Sequence, residues 1–355
     1  MYYWQGKKYN RIDLIEFLKS RQLDNIEKWE RSLLEFALKW LDENIELFKV
    51  KTSGSTATPK WIQLTRNQMI DSAKATRDFL KLKRGDTCLL VLPTDFIAGK
   101  MMIVRALEIG MDLYYFPPQV SVLKHIKREF DFAAFIPLQI QFAIDAAKTE
   151  KLNLIHKIII GGASLADKYV DNLRNLKSDF YATYGMTETI THVAIKNLKQ
   201  KNNYFNALPG ITFSSDKNNC LIILSERLPN KRIVTNDLVD LKSYTAFILI
   251  GRYDNIINSG GLKIIPEELE ERIQQIIAKE VFIGFKNDPD LGQLVVMVME
   301  GMELNEQDIK KQLKLKIPKN KIPREIYGIN SFFRTENQKI NRKKMQEWIL
   351  NYQRI

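Results

Sequence analysis

Between residues 27 and 197 the chain alternates short apolar runs with segments in which apolar residues recur at helical spacing. This alternation predicts an α/β fold in which helices cover a mostly parallel sheet. The apolar runs, which predict buried strands, are Cys88–Leu92, Leu113–Phe116, Phe132–Ile136, Lys157–Ile160 and Phe180–Thr183. The clearest helical segments are 27–41, Thr65 to Leu80, and Phe96 to Ile109. Thr65 and Gln68 can form a capping box at the start of the second of these helices.

Two further regions follow. Beyond Asn197 the strands shorten and turns become frequent, as around Leu221–Leu224 and Ala246–Ile250. This pattern of short strands and frequent turns predicts a small β-subdomain attached to the large N-terminal domain. The remainder predicts a small α+β domain with helices at 266–279, 305–316 and 341–352 and a strand at 294–299.

Composition narrows the classes of protein to consider. A chain of 355 residues with 45% hydrophobic content can bury a large core. It has no apolar run long enough to span a bilayer and no apolar signal-peptide core, so we expect no membrane insertion. With only Cys88 and Cys220, the sequence predicts a reducing, cytoplasmic location without disulfides. Its three histidines are scattered, which argues against a transition-metal site.

The net charge of +12 leaves two interpretations open. A basic protein can bind nucleic acid through its phosphates. The lysines are nevertheless spread along the chain rather than gathered in one arm, and a basic surface equally attracts small anionic substrates. Nucleic-acid binding is therefore a distant alternative, and we expect small-molecule partners.

A loop rich in hydroxyl groups, Thr52–Lys60, follows the first apolar run. Hydroxyls, backbone N–H groups and a lysine together can cradle the phosphates of ATP. The loop is not a Walker A motif, because no second glycine precedes the lysine and no Ser or Thr follows it. A polar turn between a strand and a helix is the alternative.

Four more constellations come later in the chain. Tyr184–Glu188 follows a predicted strand directly and brings an aromatic ring, a hydroxyl and a carboxylate to one strand end. Asp237 lies between two strands, where a carboxylate can accept ribose hydroxyls. A glycine-containing segment, Gly251–Glu268, and a basic one, Arg334–Arg342, complete the series. Each has a structural explanation when taken alone, but their joint occurrence in this order indicates a nucleotide-dependent enzyme.

The order resembles that of the adenylate-forming superfamily of acyl-CoA synthetases, peptide-synthetase adenylation domains and luciferases, over nearly the whole chain. The segments Phe205–Gly210, Val234–Val239 and Gly251–Glu270 resemble one branch in particular, the o-succinylbenzoate:CoA ligases of menaquinone biosynthesis. The resemblance implies an AMP-forming acid:CoA ligase that uses ATP, Mg²⁺ and coenzyme A. The alternatives are a ligase for another aryl or acyl acid and a stand-alone adenylation domain that loads a carrier protein.

The resemblance also implies roles around ATP. Lys339 would neutralise charge as the substrate carboxylate attacks the α-phosphate, Thr187 would contact that phosphate, and Glu188 would hold Mg²⁺. The phosphate-binding residues would be Thr52, Ser53, Gly54, Ser55, Thr56 and Lys60. The adenine- and ribose-binding residues would be Gly161, Gly162, Ala163, Tyr184, Gly185, Asp237 and Arg252.

The same resemblance implies two domains, 1–252 and 253–355, with a hinge at Asp254. Rotation of the second domain would withdraw Lys339 and present Gly260, Gly261 and Lys263 to coenzyme A. Asn236 and Asn337-Gln338 depart from the residues usual in the family, and the segment before the phosphate loop is short. The oligomeric state, monomer or homodimer, stays open.

For the acyl pocket the helix from Phe96 to Ile109 is the informative element. Phe96 occupies the position where many members of the superfamily carry a histidine. Lys100 and Arg105 are cations among apolar residues; they lie either on a wet face or toward the pocket, where one would suit a second substrate carboxylate. His192, just after the Glu188 motif, is a further candidate for the pocket lining.

Overall fold

The computed structural model of the protein describes residues 1–22, 25–51, 61–165, 167–301, 305–335 and 340–352. Within them the chain forms two sheets with covering helices and a separate two-stranded ribbon. The strands are β1 (Tyr2–Trp4), β2 (Lys7–Tyr9), β3 (Leu47–Lys51), β4 (Trp61–Thr65), β5 (Thr87–Leu90), β6 (Asp112–Tyr115), β7 (Phe130–Phe135), β8 (Ile155–Ile160), β9 (Asp179–Gly185), β10 (His192–Asn197), β11 (Phe205–Ala207), β12 (Thr212–Ser215), β13 (Cys220–Leu224), β14 (Arg232–Ser243), β15 (Ala246–Arg252), β16 (Ile257–Ser259), β17 (Leu262–Ile264), β18 (Val281–Asp288), β19 (Gly292–Glu300) and β20 (Glu325–Ile329). The α-helices are α1 (Arg11–Gln22), α2 (Lys28–Leu41), α3 (Arg66–Leu80), α4 (Ile97–Ile109), α5 (Pro137–Asp145), α6 (Asp167–Arg174), α7 (Pro266–Ile277), α8 (Glu306–Lys314) and α9 (Arg342–Asn351).

Thirteen strands form the large sheet, in the order β12-β13-β14-β15-β11-β10-β9-β8-β7-β5-β6-β1-β2. Strands β1, β6, β5, β7, β8 and β9 are parallel neighbours, whereas every neighbouring pair from β9 to β12 is antiparallel. The direction changes after β9 because a short turn, not a crossover helix, leads into β10. The strands predicted as a small β-subdomain therefore continue the large sheet.

Helices cover both faces of the parallel half. Successive residues of β5 point to opposite faces: Cys88 and Leu90 pack with α1 to α4, whereas Leu89 packs with α5 and α6. Both sides are apolar, as expected of parallel strands covered by helices on each face. The predicted α/β fold class is confirmed.

The start of α3 follows from local sequence. Thr65 accepts a hydrogen bond from the backbone N–H of Gln68 (3.2 Å), and the Gln68 side chain accepts one from the N–H of Thr65 (2.9 Å). This reciprocal pair forms the predicted capping box. In α4, by contrast, nearly every residue from Met101 to Ile109 is buried. The helix therefore lacks a solvent-exposed polar face from which its orientation could be predicted.

The second sheet begins at Ile257, five residues after the large sheet ends at Arg252. Its order is β17-β16-β19-β18, with β20 parallel to β19. Helices α7 and α8 pack on one face and α9 on the other. The predicted boundary between residues 252 and 253 falls between the two sheets, and the division into two domains with a hinge stays a prediction.

The predicted helices and strands named above are all present, with ends that move by a few residues. The short strands β1, β2 and β20, the longer β18 and helix α1 were not predicted. In the part of the chain that the structure describes, no helix combines the length and the apolarity needed to cross a bilayer.

Candidate active site

Two of the predicted nucleotide-binding motifs, Gly161–Ala163 and Tyr184–Glu188, meet at one edge of the large sheet. Strands β8 and β9 are parallel, and Ile160 pairs with Ala182, so Gly161–Ala163 and Tyr184–Glu188 both follow the same sheet edge. A side chain on Gly161 would begin 2.7 Å from the hydroxyl of Thr183, and one on Gly185 would begin 2.3 Å from the carbonyl oxygen of Thr191. Glycine is therefore required where the chain segments approach each other.

Tyr184 is buried, and its ring packs against Phe205 and Phe247 at centroid distances of 5.8 and 5.1 Å. Its hydroxyl donates a hydrogen bond to Asp237. The prediction that Asp237 lies between two strands is wrong, because β14 continues from Arg232 to Ser243 and pairs with β15 at Asp237. Burial raises the pKa of Asp237, although the hydrogen bond from Tyr184 and the charge of Arg252 oppose the shift. These contacts fix the carboxylate of Asp237, the residue predicted to bind ribose, beside the carboxyl end of β9.

Arg252 connects this carboxylate with the predicted hinge residue. Its guanidinium donates two hydrogen bonds to Asp254, at 2.9 and 2.8 Å, and lies 3.4 Å from Asp237. The hydrogen bonds from Arg252 lower the pKa of Asp254, despite partial burial. Both carboxylates are thus held in place by one cation where the large sheet ends.

Thr187 and Glu188 lie in a short 3-10 turn just after β9. Thr187 is buried, whereas Glu188 is exposed with its carboxylate available. The described residues hold no group of three or more metal-ligating side chains. Mg²⁺ commonly binds through one or two carboxylates together with substrate phosphates and water. A lone exposed Glu188 fits that mode of binding.

Gly260, Gly261 and Lys263 lie in the hairpin of β16 and β17. The two glycines have φ of +57° and +80°, which the tight turn requires, and Gly261 has open space around it. Lys263 is exposed. The structure places these residues together on one exposed hairpin, beside the start of β19.

A charged cluster that sequence reasoning missed links Asn255, which follows the predicted hinge residue, with α7 and α9. The guanidinium of Arg342 donates to Glu270 at 3.0 Å and lies 3.7 Å from Glu267, which also accepts from Asn255. Burial raises the pKa of Glu270 to about 6, against the effect of Arg342. Glu270 and Arg342 are 72 positions apart, and no local pattern links them.

The acyl-pocket candidates separate clearly. Arg105 is 2% exposed and donates to Thr76 of α3 at 3.4 Å, and Thr76 in turn contacts the buried His192 at 3.2 Å. Lys100 instead donates to the backbone carbonyls of Thr94 and Asp95, just before α4. Phe96 is half-buried at the N-terminus of α4. Thr76 was not predicted, because a single threonine on a helix carries no functional signal.

Two predicted groups, Thr52–Lys60 and Lys339, lie outside the described residues. Their flanking residues are placed. Lys51 of β3 pairs with Trp61 of β4, and Arg334 forms an isolated bridge with Ile340. The roles of both groups stay predictions.

Residues 5–213 match the family of AMP-binding enzymes. The chain belongs to that family. The superfamily resemblance seen in the motifs is therefore confirmed for this AMP-binding enzyme, and the match ends within β12, before Asp237 and the second sheet.

Individual proteins similar to this AMP-binding enzyme are acid:CoA ligases or related AMP-forming enzymes by name. A 2-succinylbenzoate--CoA ligase of Staphylococcus epidermidis is 23% identical over 330 residues, which cover 84% of this chain and 69% of that protein. The crystal structure of an acyl-CoA synthetase (AMP-forming)/AMP-acid ligase II-like protein from Dyadobacter fermentans is similar with a TM-score of 0.63 and 31% identity, covering 95% of this chain and 98% of the other. The o-succinylbenzoate CoA synthetase of Bacillus subtilis in complex with the acyl-adenylate intermediate OSB-AMP has a TM-score of 0.73 at 20% identity, covering 84% and 68%. The chain is thus similar to members of the branch that its motifs resemble.

Proposed function

We propose that this AMP-binding enzyme is an ATP-dependent, AMP-forming acid:CoA ligase that converts o-succinylbenzoate to o-succinylbenzoyl-CoA in menaquinone biosynthesis. The similarity to 2-succinylbenzoate--CoA ligases supports the choice of acid. The presence of two buried cysteines without a disulfide accords with a cytoplasmic location, which stays a prediction.

The observation that carries this proposal is the linked set Tyr184, Asp237, Arg252 and Asp254 at the sheet edge that also bears Thr187 and Glu188. A carboxylate fixed by a tyrosine hydroxyl and a guanidinium can accept both hydroxyls of a ribose without reorganising. We assign Gly161–Ala163 to the adenine ring; a Cβ on Gly162 would have no neighbour closer than 4.0 Å, which would allow a flat ring to approach the backbone.

The first half-reaction joins the acid to AMP. An oxygen of the substrate carboxylate attacks the α-phosphorus of ATP, and pyrophosphate leaves with the electron pair of the broken P–O bond. We assign Thr187 to the α-phosphate and Glu188 to Mg²⁺, which neutralises phosphate charge when bound. Thr52–Lys60 would hold the leaving pyrophosphate, and Lys339 would stabilise the charge that develops between the two reactants.

In the second half-reaction the thiol of coenzyme A attacks the acyl carbon, and AMP leaves. We assign the hairpin with Gly260, Gly261 and Lys263 to the pantetheine arm. This step requires residues 253–355 to rotate about Asp254 relative to residues 1–252. We expect the bidentate contact between Arg252 and Asp254 to lie at the proposed hinge and to influence that rotation.

The test is mass-spectrometric detection of AMP and acyl-CoA after incubation with ATP, Mg²⁺, coenzyme A and one acid at a time. The panel contains o-succinylbenzoate, other aryl acids and fatty acids. We expect acyl-CoA and AMP with o-succinylbenzoate. Pyrophosphate exchange without acyl-CoA would indicate a carrier protein as acceptor, and turnover of another acid alone would replace the substrate. No exchange with any acid would overturn the ligase assignment.

A further inference from the structure

The start of α7 lies against Gly251 of β15, the last strand of the large sheet. A Cβ added to Gly251 would begin 2.5 Å from a methyl carbon of Ile265 and 2.7 Å from Oε2 of Glu267. Gly251 is buried, and its φ lies outside the left-handed region. Its backbone would therefore accept alanine, and glycine is required here because α7 approaches so closely.

This contact joins the two predicted domains. Gly251 belongs to the large sheet, whereas Ile265 and Glu267 lie at the start of α7, which packs on the second sheet. The predicted hinge residue, Asp254, comes between them in the chain, and its carboxylate accepts a hydrogen bond from the side chain of Asn236 on β14. The second sheet is thus held against the end of the first at two places.

Glu267 brings a charge into the contact. Its Oε1 accepts a hydrogen bond from Asn255 and lies 3.7 Å from Nε of Arg342. Its Oε2 is buried and has no hydrogen-bond partner among the described residues. The pKa of Arg252 is raised, first by its hydrogen bonds to Asp254 and to a smaller extent by nearby charges that include Glu267. Glu267 therefore lies within electrostatic reach of a cation of the large sheet.

The contact has two opposing contributions. Attraction between Glu267 and Arg252 favours it. The buried Oε2 opposes it, because a carboxylate oxygen without a partner has lost its hydration. Movement of α7 away from Gly251 would end the attraction and return that oxygen to water. Such a contact can form and separate with a small change in free energy, as a domain that rotates in every turnover requires.

The described arrangement differs from the one proposed for the second half-reaction. Gly260, Gly261 and Lys263, which we assign to the pantetheine arm, are exposed to solvent. A Cβ on Gly261 would meet nothing within 4 Å among the described residues. A hairpin that lined a channel would be covered. The contact at Gly251 therefore accompanies the arrangement in which this hairpin is open to solvent.

We propose that Gly251, Ile265 and Glu267 form a docking contact that holds the second domain in place for acyl-adenylate formation and separates before coenzyme A attacks. This inference rests on the proposed ligase function and its domain rotation. Ile265 and Glu267 are positioning residues, because they act through the placement of the domain rather than on the reacting atoms. Glu267 also contacts Arg342, which follows Lys339 by three positions in the chain.

The experiment is a double-mutant cycle across the docking contact, measured in the intact chain on each half-reaction separately. One change, Gly251→Ala, adds the clashing methyl group. The other, Ile265→Ala with Glu267→Ala, removes the atoms that this group would meet. Glu268→Gln is the control on α7, since Glu268 contacts Arg272 instead.

Single-turnover assays measure the two half-reactions. The first is acyl-adenylate formation from ATP and o-succinylbenzoate, or the acid that wild type turns over. The second is thioester formation from supplied acyl-adenylate and coenzyme A. Because the docking contact is proposed to exist only in the first, the two substitutions should be coupled there and independent in the second.

We expect Gly251→Ala alone to slow acyl-adenylate formation by about 10-fold or more, the effect of overpacking a tight contact. When Ile265 and Glu267 are truncated, the same change should slow it by less than about 3-fold. Thioester formation should change by less than about 2-fold in each variant, because the contact has separated. Damage to the neighbouring ribose site by Gly251→Ala would not be relieved by changes on α7. Glu268→Gln should match wild type in both assays.

Equal slowing of acyl-adenylate formation by Gly251→Ala in both backgrounds overturns the docking contact, and so does equal coupling in thioester formation. If Gly251→Ala does not fold, the truncation of Ile265 and Glu267 still decides: it should slow acyl-adenylate formation more than thioester formation, and equal slowing overturns the proposal. Absence of both half-reactions in wild type with every acid contradicts the ligase function itself. The two failures are distinguishable, because only the last is seen without any substitution.

Discussion

Two arginines of this AMP-binding enzyme, Arg252 and Arg105, have opposite surroundings. Arg252 is about half exposed, with 47% of its side chain accessible, and contacts two carboxylates at the end of the large sheet. Arg105 is 2% exposed and has no carboxylate partner among the described residues. Its own hydrogen bonds go to a threonine hydroxyl and a thioether.

The difference shows what each cation contributes. Arg252 is satisfied before any ligand binds, so its role is to hold Asp237 and Asp254 in position. An exposed ion pair of this kind contributes little to stability, about 0–1 kcal/mol. Arg105 is unsatisfied until a ligand binds, and its burial opposes folding. The first arginine therefore holds two carboxylates in position, whereas we predict that the second receives its countercharge from the substrate.

Lys339 is predicted to be a third kind of cation, one whose charge partner develops only during the reaction. We expect Lys339→Ala to raise the activation free energy of acyl-adenylate formation by about 3 kcal/mol or more, the magnitude of a lost preorganised electrostatic contact. Thioester formation from supplied acyl-adenylate should be nearly unchanged. Single-turnover assays of the two half-reactions measure this. Equal losses in both would contradict the rotation of the second domain.

The role predicted for Arg252 can be tested by changing its partner Asp237. Asp237→Asn should lower kcat/KM for ATP, and the loss should correspond to about 1.5–3 kcal/mol of transition-state stabilisation, because hydrogen bonds to a charged group are lost. The preference for o-succinylbenzoate over monocarboxylate analogues should persist. Asp240→Asn is the matched control, since Asp240 lies on the same strand, exposed, and contacts Lys242. A loss of acid preference without a loss in ATP use would show that the two arginine regions are not separate.

The meeting of Gly161–Ala163 with Tyr184–Glu188 at one edge of the large sheet was predictable from sequence for a physical reason. Parallel strands bring their carboxyl ends to one edge, so Gly161–Ala163 and Tyr184–Glu188 had to meet once β8 and β9 were recognised. The capping box at Thr65 was likewise local. The contact of Thr76 with His192 spans 116 positions, and α4 is apolar on every side, so periodicity left the direction of Arg105 undecided.

Arg342 is the intermediate case, a cation with a buried carboxylate partner, and it predicts a pH effect. The folded protein binds the Glu270 proton more tightly than the unfolded chain, since burial raises the pKa from 4.5 to about 6. Stability from this group is present below pH 4.5 and is lost as the pH rises through about 6.

Urea unfolding at several pH values between these limits should show that Glu270→Gln removes this decline, which is at most about 1.4 kcal/mol per pH unit. Glu268→Gln is the control on the same helix, because Glu268 contacts Arg272 at the surface. A decline of the same slope in Glu270→Gln and wild type would assign it to other groups.

The smallest expected effect tests the two arginines directly through stability. Arg105→Met replaces an unpaired buried charge with an apolar side chain of similar length, so it should leave the free energy of unfolding unchanged or raise it by about 1 kcal/mol. Arg252→Met should lower that free energy by less than about 1 kcal/mol, because an exposed pair is lost. Urea titrations at neutral pH in the absence of ligands measure both.

With o-succinylbenzoate and ATP present, wild type should gain stability and Arg105→Met should gain less, since the ligand stabilises only a folded state that binds it. An Arg105→Met variant destabilised by more than about 2 kcal/mol would show that the guanidinium is a structural element of the core, and its proposed role as a waiting countercharge would be wrong.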